Sequence, residues 1–201
     1  LKHMLRSPVF AFAAALLAVA LLTTIGPAEK TLGTNVRVVY LHGVWVWTAL
    51  LAFLAAALSG LIGLLTGRIP VQRVSLALGR TGLLFWITYL PISMWAMQTN
   101  WNGLFLAEPR WRLAAVFAIG GLVLQIGITL VDKLTWASAA NLAYFIALVI
   151  TLVSAENVMH PSSPIFGSGI LIIQVYFLAL LSLLLVAAWQ LTRWLYRLTD
   201  R

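Results

Sequence analysis

Six apolar runs, each long enough to cross a bilayer and none alternating polar with apolar, most narrowly restrict what this chain can become. They occupy residues 8–25, 38–65, 76–97, 113–131, 135–154 and 169–191. A helix needs roughly 20 residues to span a hydrocarbon core of ~30 Å. Lipid offers the backbone no hydrogen bonds, so a spanning segment must be a helix or part of a closed barrel. Barrel strands alternate inward and outward residues, whereas these runs are continuous and rich in Leu and Ala. The expected fold is all-α: a polytopic membrane protein with a six-transmembrane-helix bundle, residues 1–201 forming a single domain. Composition agrees, since 62% of residues are hydrophobic and only 9% charged, too few to coat a soluble globule. The first run, behind Lys2 and Arg6, resembles a cleavable leader. It is long for that role and is broken by Gly26-Pro27, so we read it as a helix.

The net charge of +8 could point to nucleic acid. Its distribution points to topology instead. Nine basic residues (Lys2, Arg6, Arg68, Arg73, Arg80, Lys133, Arg193, Arg197 and Arg201) fall on one side of a six-span arrangement, against four (Lys30, Arg37, Arg110 and Arg112) on the other. The positive-inside rule then places the first side, and both termini, in the cytoplasm. The expected location is the cell (inner or plasma) membrane, with lipid as surroundings and no nucleic-acid partner. The outer links, residues 26–37, 98–112 and 155–168, carry more polar and aromatic residues than the inner ones, which marks the outer face as the place for function. Pro91 is expected to kink the third helix near its outer end. Without cysteine the chain has no disulfide, thiolate metal site or thioether-bound cofactor.

Three histidines are present. His3 sits in the basic tail beside no evident partner. His42 lies about one turn inside the outer end of the second span, and His160, followed by Pro161, lies in the last outer link. An imidazole near lipid is costly unless hydrogen-bonded or ligated. The six-span topology brings His42 and His160 to one face at similar depth. Two neutral imidazoles suit the axial positions of a haem iron, since no carboxylate or thiolate cluster accompanies them for zinc. Each alone reads equally as an interfacial or loop histidine. The stretch from Trp95 through Trp101, Phe105, Glu108 and Arg110 to Arg112 combines aromatic faces with guanidinium groups. These suit an apolar plate carrying carboxylates, and suit an interfacial aromatic belt as well. Trp136, Trp189 and Trp194 read as belt residues.

Three motifs, in order, resemble the haem-handling proteins of cytochrome c biogenesis (CcmC/CcsA type), in particular the six-helix CcmC-like member. Arg37-Val-Val-Tyr40-Leu-His42, leading into Trp45, is similar to that family's Arg-Ile-Met-Tyr-Ile-His segment. Trp101-Asn-Gly-Leu-Phe105-Leu-Ala-Glu108-Pro-Arg110 aligns without gaps on its Trp-Gly-Thr-Trp-Trp-Val-Trp-Asp-Ala-Arg stretch. His160-Pro161 falls where the family has its second external histidine. The aromatic motif departs from the family: Leu104, Phe105 and Ala107 stand for three tryptophans, Glu108 for aspartate, and Pro109 intrudes.

The resemblance implies that His42 and His160 are axial ligands of a non-covalent haem b. It implies that Arg37, Tyr40, Trp45, Trp95, Trp101, Phe105, Glu108 and Arg110 contact the haem edge and propionates. It also implies that the protein hands haem to a periplasmic haem chaperone or to apocytochrome c, alongside an ABC-type exporter and small accessory membrane subunits. Handing over haem makes no bond at a side chain, and no nucleophile–base pair is evident, so no enzyme is expected. Two other classes compete. A haem-binding electron-transfer or quinone-reactive membrane subunit would also use intramembrane histidine. A transporter would need buried ionisable residues, but the spans offer mainly Gln125, Asn141 and Gln174, which read as interhelical hydrogen-bonding groups.

Overall fold

Proline opens three helices and a left-handed residue closes three. Pro8, Pro70 and Pro109 each lie in a first turn, where a missing N–H removes no intrahelical bond. Gly67 (φ 67°), Asn102 (φ 54°) and Asp132 (φ 50°) end helices in the conformation that frees the chain to turn. The computed structural model describes residues 7–159 and 164–199. It contains α1 (Pro8–Thr24), α2 (Val36–Thr66), α3 (Ile69–Trp101), α4 (Pro109–Val131), α5 (Leu134–Val153) and α6 (Leu171–Leu198), with a 3-10 turn at Phe166–Ser168. Among the described residues there is no strand, only an isolated bridge between Glu29 and Gly33. Lys2, His3, Arg6, His160, Pro161, Asp200 and Arg201 lie outside the described residues.

Each expected span thus has its helix, and α3 runs through Pro91 to Trp101. Four of the six, α2, α4, α5 and α6, are long and apolar enough to cross a membrane. With 17 residues, α1 reaches only about 26 Å. Helix α3 has 33 residues but is less apolar because it turns Gln72, Ser75, Thr81 and Ser93 inward, where all four are buried. Large apolar side chains face outward instead: Leu17, Leu58, Leu84, Leu130, Val153 and Leu171 are all exposed. An outer surface of that kind on every helix is what a lipid solvent favours and water does not.

Helix α3 is central. It pairs with α2 and touches α4, α5 and α6, while α1 lies chiefly against α6. In lipid, helices associate through close packing and interhelical hydrogen bonds, not through apolar burial alone. Both are visible here. A Cβ at Gly60 would stand 2.7 Å from the Ser138 carbonyl oxygen, so α2 and α5 touch backbone to backbone. Ser75 Oγ donates to the Ala56 carbonyl (2.8 Å), and Asn141 Nδ2 donates to the Ser75 carbonyl (2.9 Å). Gln125 Nε2 completes the seam on Asn141 Oδ1 at 3.3 Å. Gln125 and Asn141 therefore join helices as expected, whereas Gln174 donates to the Phe166 carbonyl of its own adjoining loop. Further out, Trp86 Nε1 donates to the Ala114 carbonyl (3.0 Å), and Tyr176 Oη donates to the Leu22 carbonyl (2.8 Å).

Candidate functional site

The links before α2, between α3 and α4, and before α6 gather at one end of the bundle, and His42 lies just inside that end. Its position on α2 follows from the helix starting at Val36, which puts residue 42 on the second turn. His42 is half-buried, and its ring packs on Tyr89 of α3 with centroids 5.6 Å apart. Its Nδ1 is shut off from solvent. Tyr89 in turn meets Trp86 at 5.0 Å, and the Glu108 carboxylate is near enough to the Tyr89 hydroxyl to act on it electrostatically. Tyr89 and Trp86 escaped the motif-based reading. Their i, i+3 spacing puts both on one face of α3, and that was the available signal.

The remaining sequence candidates divide. Tyr40 is fully buried against Tyr176, ring centroids 5.4 Å apart. Trp45 leans on Phe85 (5.4 Å) and donates from Nε1 to Thr88 Oγ1 (2.8 Å), which points it along α3. Arg37 donates from Nε to the Gly26 carbonyl at 2.9 Å and so ties the α1–α2 link to α2. Trp101 and Phe105 form an edge-to-face pair at 5.6 Å on the α3–α4 link, and Trp95 is exposed on the last turns of α3. Arg110, half-buried, and Arg112, exposed, occupy the first turn of α4. Its positive dipole end reinforces their charge.

Glu108 also has a local role in the chain. It is the N-cap of α4: one carboxylate oxygen accepts the Trp111 N–H at 2.6 Å, and the residue is only 3% exposed. An acidic residue directly before Pro109 is a legible cap signal. The other oxygen, Oε1, is buried with no hydrogen-bond partner among the described residues, as are Tyr40 Oη and Trp111 Nε1. Leaving such a group unsatisfied costs about 1–3 kcal/mol, so three near one end indicate spare hydrogen-bonding capacity there. On the α1–α2 link, Glu29 accepts from the backbone N–H of Thr31 (2.8 Å) and Leu32 (2.9 Å). The bonds from Leu32 and Thr31 hold its carboxyl below the usual carboxylate range.

Two cavities lie elsewhere. One, about 410 Å³, is an apolar recess between α4 and α5 walled by Phe117, Leu124 and Tyr144. The other, about 60 Å³, lies at the opposite end among Arg80, Thr129, Asp132 and Lys133. Among the described residues no group of three or more His, Cys, Asp or Glu side chains could hold a metal ion. A haem with two axial histidines needs no such cluster. His160, expected to face His42, lies outside the described residues. No family model matches the sequence, and neither a curated protein nor a solved structure matches it.

Proposed function

We propose that this protein binds haem b at the His42 end of the bundle, with His42 and His160 as axial ligands, and presents it for cytochrome c maturation. The supporting observation is the setting of His42: half-buried, its ring held by Tyr89, and its Nδ1 closed to solvent. Bound between two neutral imidazoles, the haem iron would be low-spin.

The chain's own residues then divide the work of holding and orienting. Arg110 and Arg112 supply positive charge for the propionates, and Glu108 fixes the start of the helix that carries them. Arg37, pinned by Gly26, adds a third guanidinium on the same rim. Trp101 and Phe105 cover an exposed porphyrin edge. Positive-inside topology with six spans puts this end outside the cell membrane and both termini in the cytoplasm. A periplasmic haem chaperone or apocytochrome c is the acceptor, with an ABC-type exporter and accessory subunits as partners. No bond at a side chain changes, so the role is carriage and not catalysis.

The test is an absorption spectrum of the purified protein, oxidised and reduced. The expected result is a low-spin b-type spectrum that His42→Ala and His160→Ala each disturb. A double variant with an unchanged Soret band ends the assignment, as does a wild type carrying no haem after expression with haem supplied.

A second reading, an electron-transfer subunit, draws on one observation. Aromatic rings run from His42 through Tyr89, Trp86, Phe53 and Tyr144 to Phe117, with neighbouring centroids no more than 6.1 Å apart. Quinol-dependent reduction of the haem would favour it, and release of haem to an acceptor would favour the carrier.

A further inference from the structure

At the end of the bundle away from His42, α3, α4 and the α4–α5 turn enclose the cavity of about 60 Å³. Arg80 reaches it from α3, half-buried, with Thr129 Oγ1 accepting from Nη2 at 3.2 Å. Among the described residues no carboxylate pairs with that guanidinium. A partly desolvated cation answered only by a neutral hydroxyl is an unbalanced arrangement. Lys133 brings a second positive charge to the same cavity, and Asp132 brings a single negative one. Apolar Leu76 and Ile128 form the inner wall, and Leu130, Val131 and Trp136 stand exposed beside the turn. Such flanking is typical of the headgroup level, where Trp anchors and acyl chains run alongside.

Two cations and one carboxylate on a space this small match a zwitterion with a phosphate and a primary ammonium. We propose that this recess holds the headgroup of an aminophospholipid, its phosphate on Arg80 and Lys133 and its ammonium on Asp132. Asp132 is what separates this ligand from its competitors. A choline headgroup has no N–H to give the carboxylate, and a glycerol headgroup has no cation to pair with it. The uncapped N-terminus of α5, which begins at Leu134, adds positive potential on the phosphate side. The inference stands whether or not the other end carries haem.

The experiment uses the full-length protein in nanodiscs of phosphatidylcholine doped separately with phosphatidylethanolamine or phosphatidylglycerol, reading retained lipid by native mass spectrometry. The wild type is expected to retain phosphatidylethanolamine over both others by about tenfold, the worth of one charge-assisted hydrogen bond. Lys133→Gln should lower retention of both doped lipids. Asp132→Asn should abolish the preference over phosphatidylglycerol while keeping phosphate binding. Arg80→Lys keeps the charge and guards against misfolding, and it should retain lipid better than Arg80→Gln. Equal retention of all three lipids by the wild type overturns the proposal. So does an unchanged preference in Asp132→Asn. Soluble phosphoethanolamine that occupies the protein as well in detergent as the lipid does in discs would overturn lipid as the source.

Discussion

Gly79→Ala places a methyl group where α3 meets α5. The new Cβ would lie 2.5 Å from Asn141 Oδ1 and 2.8 Å from both Cγ and Nδ2. Asn141 is buried and makes three hydrogen bonds, two from Nδ2 to Ser75 and one accepted from Gln125, so it cannot swing aside without losing them. At ~0.6 kcal/mol per interhelical bond in lipid, displacing the amide forfeits about 2 kcal/mol. Overpacking adds about 1–3 kcal/mol, and the better helix propensity of alanine returns about 1 kcal/mol. The net expectation is a loss of about 2–4 kcal/mol. The sign should reverse when the amide is absent: in an Asn141→Ala background the same methyl meets no amide, and Gly79→Ala should stabilise by up to about 1 kcal/mol. Gly127→Ala, whose Cβ meets nothing within 4 Å, is the control for propensity alone. Unfolding in mixed micelles, followed by tryptophan fluorescence, measures all four proteins. A neutral Gly79→Ala, or one equally damaging with alanine at 141, would refute the reasoning.

Four further outcomes are expected. Glu108→Ala should destabilise by about 1 kcal/mol through loss of the α4 cap, while Glu108→Gln keeps an acceptor and most of the stability; thermal melts distinguish them. Trp86→Phe removes the bond to the Ala114 carbonyl and should cost about 1 kcal/mol by the same assay. Tyr176→Phe breaks the tie to Leu22 and should raise hydrogen exchange in residues 8–24 more than in residues 36–66. Because Glu29 has a lowered folded pKa, its hold on the Thr31 and Leu32 amides is complete at neutral pH and is lost as pH falls through that lowered value. Exchange protection of those amides that does not decline with acid, or that survives Glu29→Gln unchanged, would contradict this.

Number and type of helices were legible because the backbone in lipid leaves so few alternatives. Boundaries held to within two residues for α1, α2 and α5. They fell short at α3, α4 and α6, which extend to Ile69, Pro109 and Leu198 respectively. Hydropathy ends where Arg73 and Arg193 begin, but a helix does not need apolar residues once it leaves the hydrocarbon. Which face of each helix turns inward was hidden, since core and lipid are equally apolar. The signal lay in the small and polar positions, Gly60, Ser75, Gly79 and Asn141, which mark the α2–α3–α5 contact. At the candidate site, the sequence placed His42 near the helix end, and the only sign of Tyr89 was its i, i+3 spacing from Trp86 on one face of α3. Glu108, placed by the motif at the haem edge, also caps α4 through one of its oxygens. Tyr40 shares the Arg37-x-x-Tyr40-x-His42 motif with His42, and a two-residue offset on the helix turns it toward Tyr176 of α6.

The pairing of α1 with α6 bears on how the protein comes together. While ribosomes feed the chain into the bilayer, α1 enters long before its main neighbour exists, and its light contact with α2 offers little shelter. A short apolar rod must therefore wait in lipid until some 150 residues later, when Tyr176 can reach Leu22 across a separation of 154 positions. Chains cut before α6 should leave α1 as an orphan segment, exposed to quality-control proteases that patrol the membrane.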